Sequence, residues 1–214
     1  VANLVYSQIL FKMSEEIFIE PRYAIQHRKG WIEVVCGSMF SGKTEELIRR
    51  LNRAKIAGQS VEIFKPSIDT RYDETSVVSH NDNAISSTPI HSSLNILLMR
   101  NQATVVGIDE AQFFDNELLY VCQTLAEQGV RVIVAGLDMD YLGNPFGPMP
   151  NLMAVAEYVT KVHAICMVCG DLATHSFRKH KDQSLIMLGE KDTYEARCRH
   201  CFQIGMKETE LKNH

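Results

Sequence analysis

An α/β fold, with a mostly parallel sheet and helices on both of its faces, is predicted by three features of the sequence. Short runs with both faces apolar alternate with amphipathic stretches of helical period. A glycine-rich turn, GSMFSGKT, joins the first such run to the first such helix. From Cys166 onward apolar periodicity gives way to two CxxC pairs, which predicts a small metal-stapled lobe after the main domain.

The composition sets the bounds. With 214 residues, 45% apolar and 22% charged, the chain suits one domain with a small appendage and is too apolar for disorder. No apolar run approaches the ~18 residues of a membrane span, so no membrane partner is expected. The 22 Lys+Arg against 26 Asp+Glu leave a formal charge of −4, which argues against nonspecific binding of nucleic acid. An anionic small molecule stays open, because a few local donors hold a phosphate against an acidic average. Of the six cysteines, Cys36 and Cys122 lie in apolar runs and the other four are paired, a usage that fits a reducing compartment, the cytosol.

Taken in order, residues 1–29 make a poor signal peptide and are read as an N-terminal extension, in part artificially appended, with an extra edge strand or helix as the alternative, and are set aside. Trp31–Cys36 is the first strand. A helix runs from Lys43 to about Ala57 on the period of Leu47, Ile48, Leu51 and Ala54, and Gly58 ends it. Val61–Lys65 is a strand cut off by Pro66, and Ile68–Asn83 is a polar loop. Leu94–Met99 is a short helix, Thr104–Asp109 a strand, Glu117–Gln128 a helix and Val130–Ala135 a strand. After the Gly/Pro-rich stretch Gly143–Pro150 come a short helix, Leu152–Glu157, and a last strand, Tyr158–Ile165. The domains expected are therefore an ATP-binding α/β domain over 30–165 and a zinc-binding lobe with a lid and tail over 166–214.

The chemistry begins with Gly37-Ser38-Met39-Phe40-Ser41-Gly42-Lys43-Thr44, a G-x-x-x-x-G-K-T loop between strand and helix. Its glycines let backbone N–H groups turn inward around phosphate oxygens, Lys43 reaches the β- and γ-phosphates, and the Thr44 hydroxyl can ligate Mg²⁺. Such a P-loop needs an acid at a neighbouring strand end, and Asp109 supplies it. Glu110 then enters the same crevice, free to orient or deprotonate a nucleophile: water in an ATPase, a substrate hydroxyl in a kinase. Cys166, Cys169, Cys198 and Cys201 make four thiolates suited to structural Zn²⁺, with a redox dithiol and an iron–sulfur cluster as rivals. Between the pairs lie Ser176, Arg178, Gly189 and Tyr194, on a loop tethered at both ends. Tyr194 reads equally as packing.

The segments GSMFSGKTEELIRR (Gly37–Arg50), FKPSIDTRY (Phe64–Tyr72), GIDEAQFF (Gly107–Phe114), GLDMDYLGNPFGP (Gly136–Pro148), CMVCG (Cys166–Gly170) and YEARCRHC (Tyr194–Cys201) together resemble the thymidine kinase family, in its cytosolic, zinc-containing type. The resemblance runs from about Gly30 to Cys201. It implies transfer of the ATP γ-phosphate to the 5′-hydroxyl of thymidine or deoxyuridine, with Mg²⁺, structural Zn²⁺, dTTP feedback and a homotetramer. It also implies residue roles. Glu110 is the general base, Lys43 and Arg71 stabilise the phosphoryl charge, and Thr44 and Asp109, with Asp69 in support, serve Mg²⁺. The nucleotide is held by Gly37–Thr44 together with Asp109, Glu110, Ala111 and Gln112. The nucleoside pocket takes in Met39, Glu110, Phe113, Leu137, Tyr141 and Phe146, and the lid adds Ser176, Gly189 and Tyr194. Two departures stand out: Ser38 where many members have Pro, and a lid segment, Arg178–Leu188, shorter than the family's usual one. A deoxynucleoside kinase of broader base choice is the near alternative. A P-loop ATPase on nucleic acid and a zinc-binding adaptor are the distant ones.

Overall fold

The structure, a computed structural model, describes residues 29–67, 76–78, 84–179 and 193–211. Its main sheet is built from β1 (Trp31–Cys36), β2 (Val61–Pro66), β5 (Thr88–Ile90), β6 (Val105–Ile108), β7 (Arg131–Gly136) and β8 (Tyr158–Lys161). The strand order is β5-β2-β6-β7-β1-β8 and every pairing is parallel. Parallel neighbours need crossover connections, and these include α1 (Lys43–Ile56), α2 (Asn95–Met99), α3 (Leu118–Glu127) and α4 (Met149–Val155).

Strand alternation sorts the core into two layers. Val34, Val106, Ile108, Val132 and Val134 face one side and pack with Leu118, Val121, Cys122 and Leu125 of α3 and with Met149 and Leu152 of α4. Val35, Ile63, Val105, Ile133 and Ala135 face the other side, against Leu47, Ile48, Leu51 and Ala54 of α1. Both faces are thus covered, which is why these strands read as apolar runs and not as alternating ones.

One charged cluster interrupts the α1 layer. Glu33, 3% exposed, accepts hydrogen bonds from Arg131 (2.6 Å), Arg50 (2.8 Å) and the Trp31 indole (2.7 Å). Arg50 also donates to Glu46 (2.7 Å) and to Thr160 (3.0 Å), so α1 is pinned to β1 and β8 by charge as well as by apolar contact.

Several elements differ from the sequence expectation. The segment expected as a loop over Ile68–Asn83 contains β3 (Ser76–Val78), which pairs antiparallel with β4 (Ala84–Ser86); β5 follows at once as an edge strand. Three-residue strands are too short to show a period. Helix α4 starts at Met149 and not at Leu152, with Pro150 in its first turn, where a missing N–H costs nothing. The strand expected over Tyr158–Ile165 is two: β8 ends at Lys161, and β9 (Ala164–Ile165) pairs with β10 (Leu172–Ala173) in the cysteine lobe. That lobe also holds β11 (His175–Arg178), paired with β12 (Tyr194–Arg197), and a terminal helix α5 (Arg199–Leu211) where a tail was expected. Phe202 of α5 packs edge-on to Phe177 of β11 at 6.2 Å, one of the few apolar anchors that helix has.

Candidate active site

The carboxyl ends of β1, β6 and β7 lie side by side, where open parallel sheets bind ligands. β1 runs straight into the P-loop. At Gly37, φ is +149° and a Cβ would meet the Val162 carbonyl at 2.2 Å, so only glycine lets the loop pass this close to the chain leaving β8. The Lys43 ammonium donates to the Ser38 carbonyl at 2.7 Å, as does the Ser41 hydroxyl at 2.7 Å. Burial pushes the Lys43 pKa down, against the upward pull of Glu110, Asp109 and Asp138. A cation facing three carboxylates at the N-terminus of α1 suits a polyanion that brings its own counter-ion.

β6 delivers the acids. Asp109 is buried, and the Thr44 hydroxyl lies 3.3 Å from one of its oxygens and 3.5 Å from the other, close enough for both residues to serve one ion. Glu110 sits in the left-handed region at φ 50°, ψ 41°, an uncommon place for a non-glycine residue and one costing about 1–3 kcal/mol. This bend turns the two side chains apart. The Asp109 carboxylate accepts from the Glu110 N–H at 3.0 Å, while the Glu110 carboxylate accepts from the Gln112 amide at 2.5 Å. Gln112 in turn accepts from the Leu137 N–H, at the end of β7, at 2.9 Å. Ala111 and Gln112 are both buried.

Phe113 and Phe146 meet edge to face at 5.7 Å. The Arg178 guanidinium lies 3.6 Å from the centre of the Tyr141 ring and donates to the Tyr194 hydroxyl at 2.6 and 3.0 Å. Ser176 reaches the P-loop, its hydroxyl accepting from the Met39 N–H at 3.0 Å. These contacts join Ser176 to Met39 of the P-loop, Leu137 through Gln112 to Glu110, Phe113 to Phe146, and Tyr141 through Arg178 to Tyr194. Asp69, Arg71, Gly189 and most of the shortened lid segment lie outside the described residues.

Two features escaped the sequence reading. Arg178 is buried against the rings of Tyr141 and Tyr194, and a polar loop gave no sign of that. Asp138, 6% exposed beyond the end of β7, pairs with Lys161 of β8 at 2.6 Å across the end of β1; its second oxygen is buried with no partner among the described residues. Its position just past an apolar strand, like that of Asp109, was the available signal.

In the lobe, the four cysteine sulfurs lie within 4.8 Å of one another, and Cys169 and Cys198 are 3.7 Å apart. A tetrahedral zinc ion with Zn–S of ~2.3 Å spaces its sulfurs by about 3.8 Å, so the donors fit that metal. Burial raises the Cys166 thiol, but backbone N–H groups at Cys198, Cys169 and Val168 outweigh it and bring the pKa to about 6. Cys201 is pushed up to about 12, first by its hydrogen bond to Cys198 and then by burial. Thiols this close cannot all ionise without a cation among them. Among the described residues, no helix is long and apolar enough to cross a membrane.

The sequence profile of one family, described as thymidine kinase, matches residues 30–202. A thymidine kinase of Porphyromonas gingivalis is 63% identical over 185 residues, 86% of this chain and 91% of that protein. One from a Rhodothermus species is 65% identical over 174 residues, 81% of this chain and 82% of that protein. One from Bacteroides fragilis is 59% identical over 197 residues, 92% of this chain and 99% of that protein. A match that spans the whole parallel sheet and most of the cysteine lobe, at identities this high, places the chain in the thymidine kinase family.

Proposed function

We propose that this chain transfers the γ-phosphoryl group of ATP to the 5′-hydroxyl of thymidine, giving dTMP and ADP. The observation that carries the reading is the juxtaposition at one sheet end of the P-loop with the adjacent Asp109 and Glu110, the Thr44 hydroxyl lying 3.3 Å from Asp109. Family membership adds its weight. The 5′-oxygen forms a bond to the γ-phosphorus as the bond to ADP breaks, and the hydroxyl proton passes to the Glu110 carboxylate. Lys43 follows the charge of the moving group, and Arg71 adds to it. Thr44 and Asp109, with Asp69 in support, would hold Mg²⁺, which screens the phosphate charge. The backbone of the P-loop and of the Asp109–Gln112 turn lines the nucleotide side. Phe113, Leu137, Tyr141 and Phe146 flank the base, and Ser176, Gly189 and Tyr194 close over it.

On the same reading, as the family resemblance implies, deoxyuridine is also accepted and dTTP is a feedback ligand. Residues 30–165 form the ATP-binding domain of a cytoplasmic homotetramer. Residues 166–214 form a lobe in which Cys166, Cys169, Cys198 and Cys201 hold structural Zn²⁺ and keep the lid tethered.

The test is transfer of labelled γ-phosphate to a panel of deoxynucleosides, by the wild type and by Glu110→Gln. Thymidine and deoxyuridine are expected to be labelled, and purine deoxynucleosides not. General bases contribute ~10²–10⁴-fold, so kcat of the glutamine variant should fall by that factor while the dissociation constants for thymidine and ATP hold. A variant keeping more than about a tenth of kcat, where chemistry limits turnover, ends the general-base assignment. Equal labelling of every deoxynucleoside favours the broader kinase.

A further inference from the structure

We infer that Gln112 is a positioning residue: its side-chain amide locks the Glu110 carboxylate to the end of β7. This rests on the reading of Glu110 as the proton acceptor. The orientation of the amide follows from its neighbours. The Leu137 N–H can only donate, so the atom it meets at 2.9 Å is the Gln112 carbonyl oxygen. The amide NH₂ then faces Glu110, 2.5 Å from Oε2, and a carboxylate there must accept. One oxygen of Glu110 is thereby fixed in direction, on a residue whose left-handed backbone otherwise leaves the side chain at a sharp bend.

Gln112 has little room to do anything else. It is 2% exposed. A Cβ on Gly136 would stand 2.9 Å from its side-chain oxygen, and one on Gly147, where φ is +51°, would stand 2.3 Å from its backbone carbonyl. Two chain segments thus close on Gln112 at positions with no side chain, one from β7 and one from the loop that carries Phe146. The base and the wall of the nucleoside slot are tied through one buried amide, so Glu110 keeps its angle to the hydroxyl when the slot fills. A misplacement of about 1 Å costs on the order of 10²-fold in rate.

Two substitutions test this, each made in the wild type and in Glu110→Gln. Gln112→Asn keeps both amide groups but draws them back by one methylene, so that they no longer span Glu110 and Leu137 together; Gln112→Met keeps the length and loses both. In the wild-type background kcat is expected to fall about 10–100-fold with KM for thymidine and ATP within about twofold. In the Glu110→Gln background the same changes are expected to lower kcat less than about twofold, because the group they position is already gone. Equal losses in both backgrounds would mean general damage and overturn the inference, as would an unchanged kcat in Gln112→Met. Should Gln112→Met fail to fold, Gln112→Asn carries the comparison alone, an unchanged kcat there overturning the inference. Near-normal activity of Glu110→Gln itself sinks the general-base reading, an outcome separate from any result at position 112.

Discussion

Glu33→Gln removes one charge from the middle of the α1 layer and is expected to cost the fold about 3–5 kcal/mol, the range for breaking a buried ion pair from one side. The magnitude follows from the contacts. One carboxylate oxygen accepts from Trp31 and from the Arg131 Nε, and the other accepts from Arg50 at 2.8 Å and from Arg131 Nη2 at 3.3 Å. Glutamine keeps a single acceptor oxygen and turns an NH₂ group toward a guanidinium, so two charge-assisted bonds are lost, at about 1.5–3 kcal/mol each. Arg50 and Arg131, 7% and 4% exposed, then stay buried without their shared counter-charge.

Urea unfolding with zinc supplied in the buffer measures this, followed by far-UV circular dichroism and by the fluorescence of Trp31, the single tryptophan, with coincident transitions as the two-state check. The pH dependence gives a second reading. Burial raises the Glu33 carboxyl, but the bonds and charge of Arg131, the Trp31 indole and Arg50 together hold it below the usual range. Its unfolded value is ~4.3, so its contribution is complete above that pH and is lost as pH falls through the lower folded value. The gap between wild type and variant is therefore expected to narrow below about pH 4. Any metal that the cysteine cluster releases in acid is released by both proteins and cancels in the difference. A gap under about 1 kcal/mol at pH 7 would refute the reasoning, because the cluster would then be solvated enough to tolerate an unpaired charge.

Lys43→Ala is expected to lower kcat by about 10²–10³-fold with thymidine binding retained, as measured by steady-state kinetics and by calorimetry with thymidine alone. Near-normal turnover at saturating ATP would remove Lys43 from the phosphate site. Cys198→Ser is expected to drop zinc from one per chain to under about 0.2 in elemental analysis of untagged protein, since a fourth thiolate completes the tetrahedron. Full zinc content in that variant would point to another ligand.

Much of the molecule was legible in the amino-acid order because its signals are local. The apolar runs at Trp31–Cys36, Val105–Ile108 and Arg131–Gly136 name strands buried on both faces, and the period of Leu47, Ile48, Leu51 and Ala54 names the helix on them. The glycine spacing of the P-loop and the two CxxC pairs likewise carry their chemistry within a few residues, because phosphate and zinc each demand a short, fixed set of donors. Lys43, Thr44, Asp109, Glu110 and the four cysteines could be named for that reason. What only the tertiary structure decided involves partners far apart in the chain. Short strands such as Ser76–Val78 exist through their pairing, and helix Arg199–Leu211 takes its hold from Phe177 and the lobe more than from its own period. Arg178 stacks on Tyr141, Lys161 reaches Asp138 across β1, and Gln112 joins Glu110 to Leu137. A buried polar group must find its hydrogen-bond partner wherever the fold puts one, and no spacing along the chain announces where that will be.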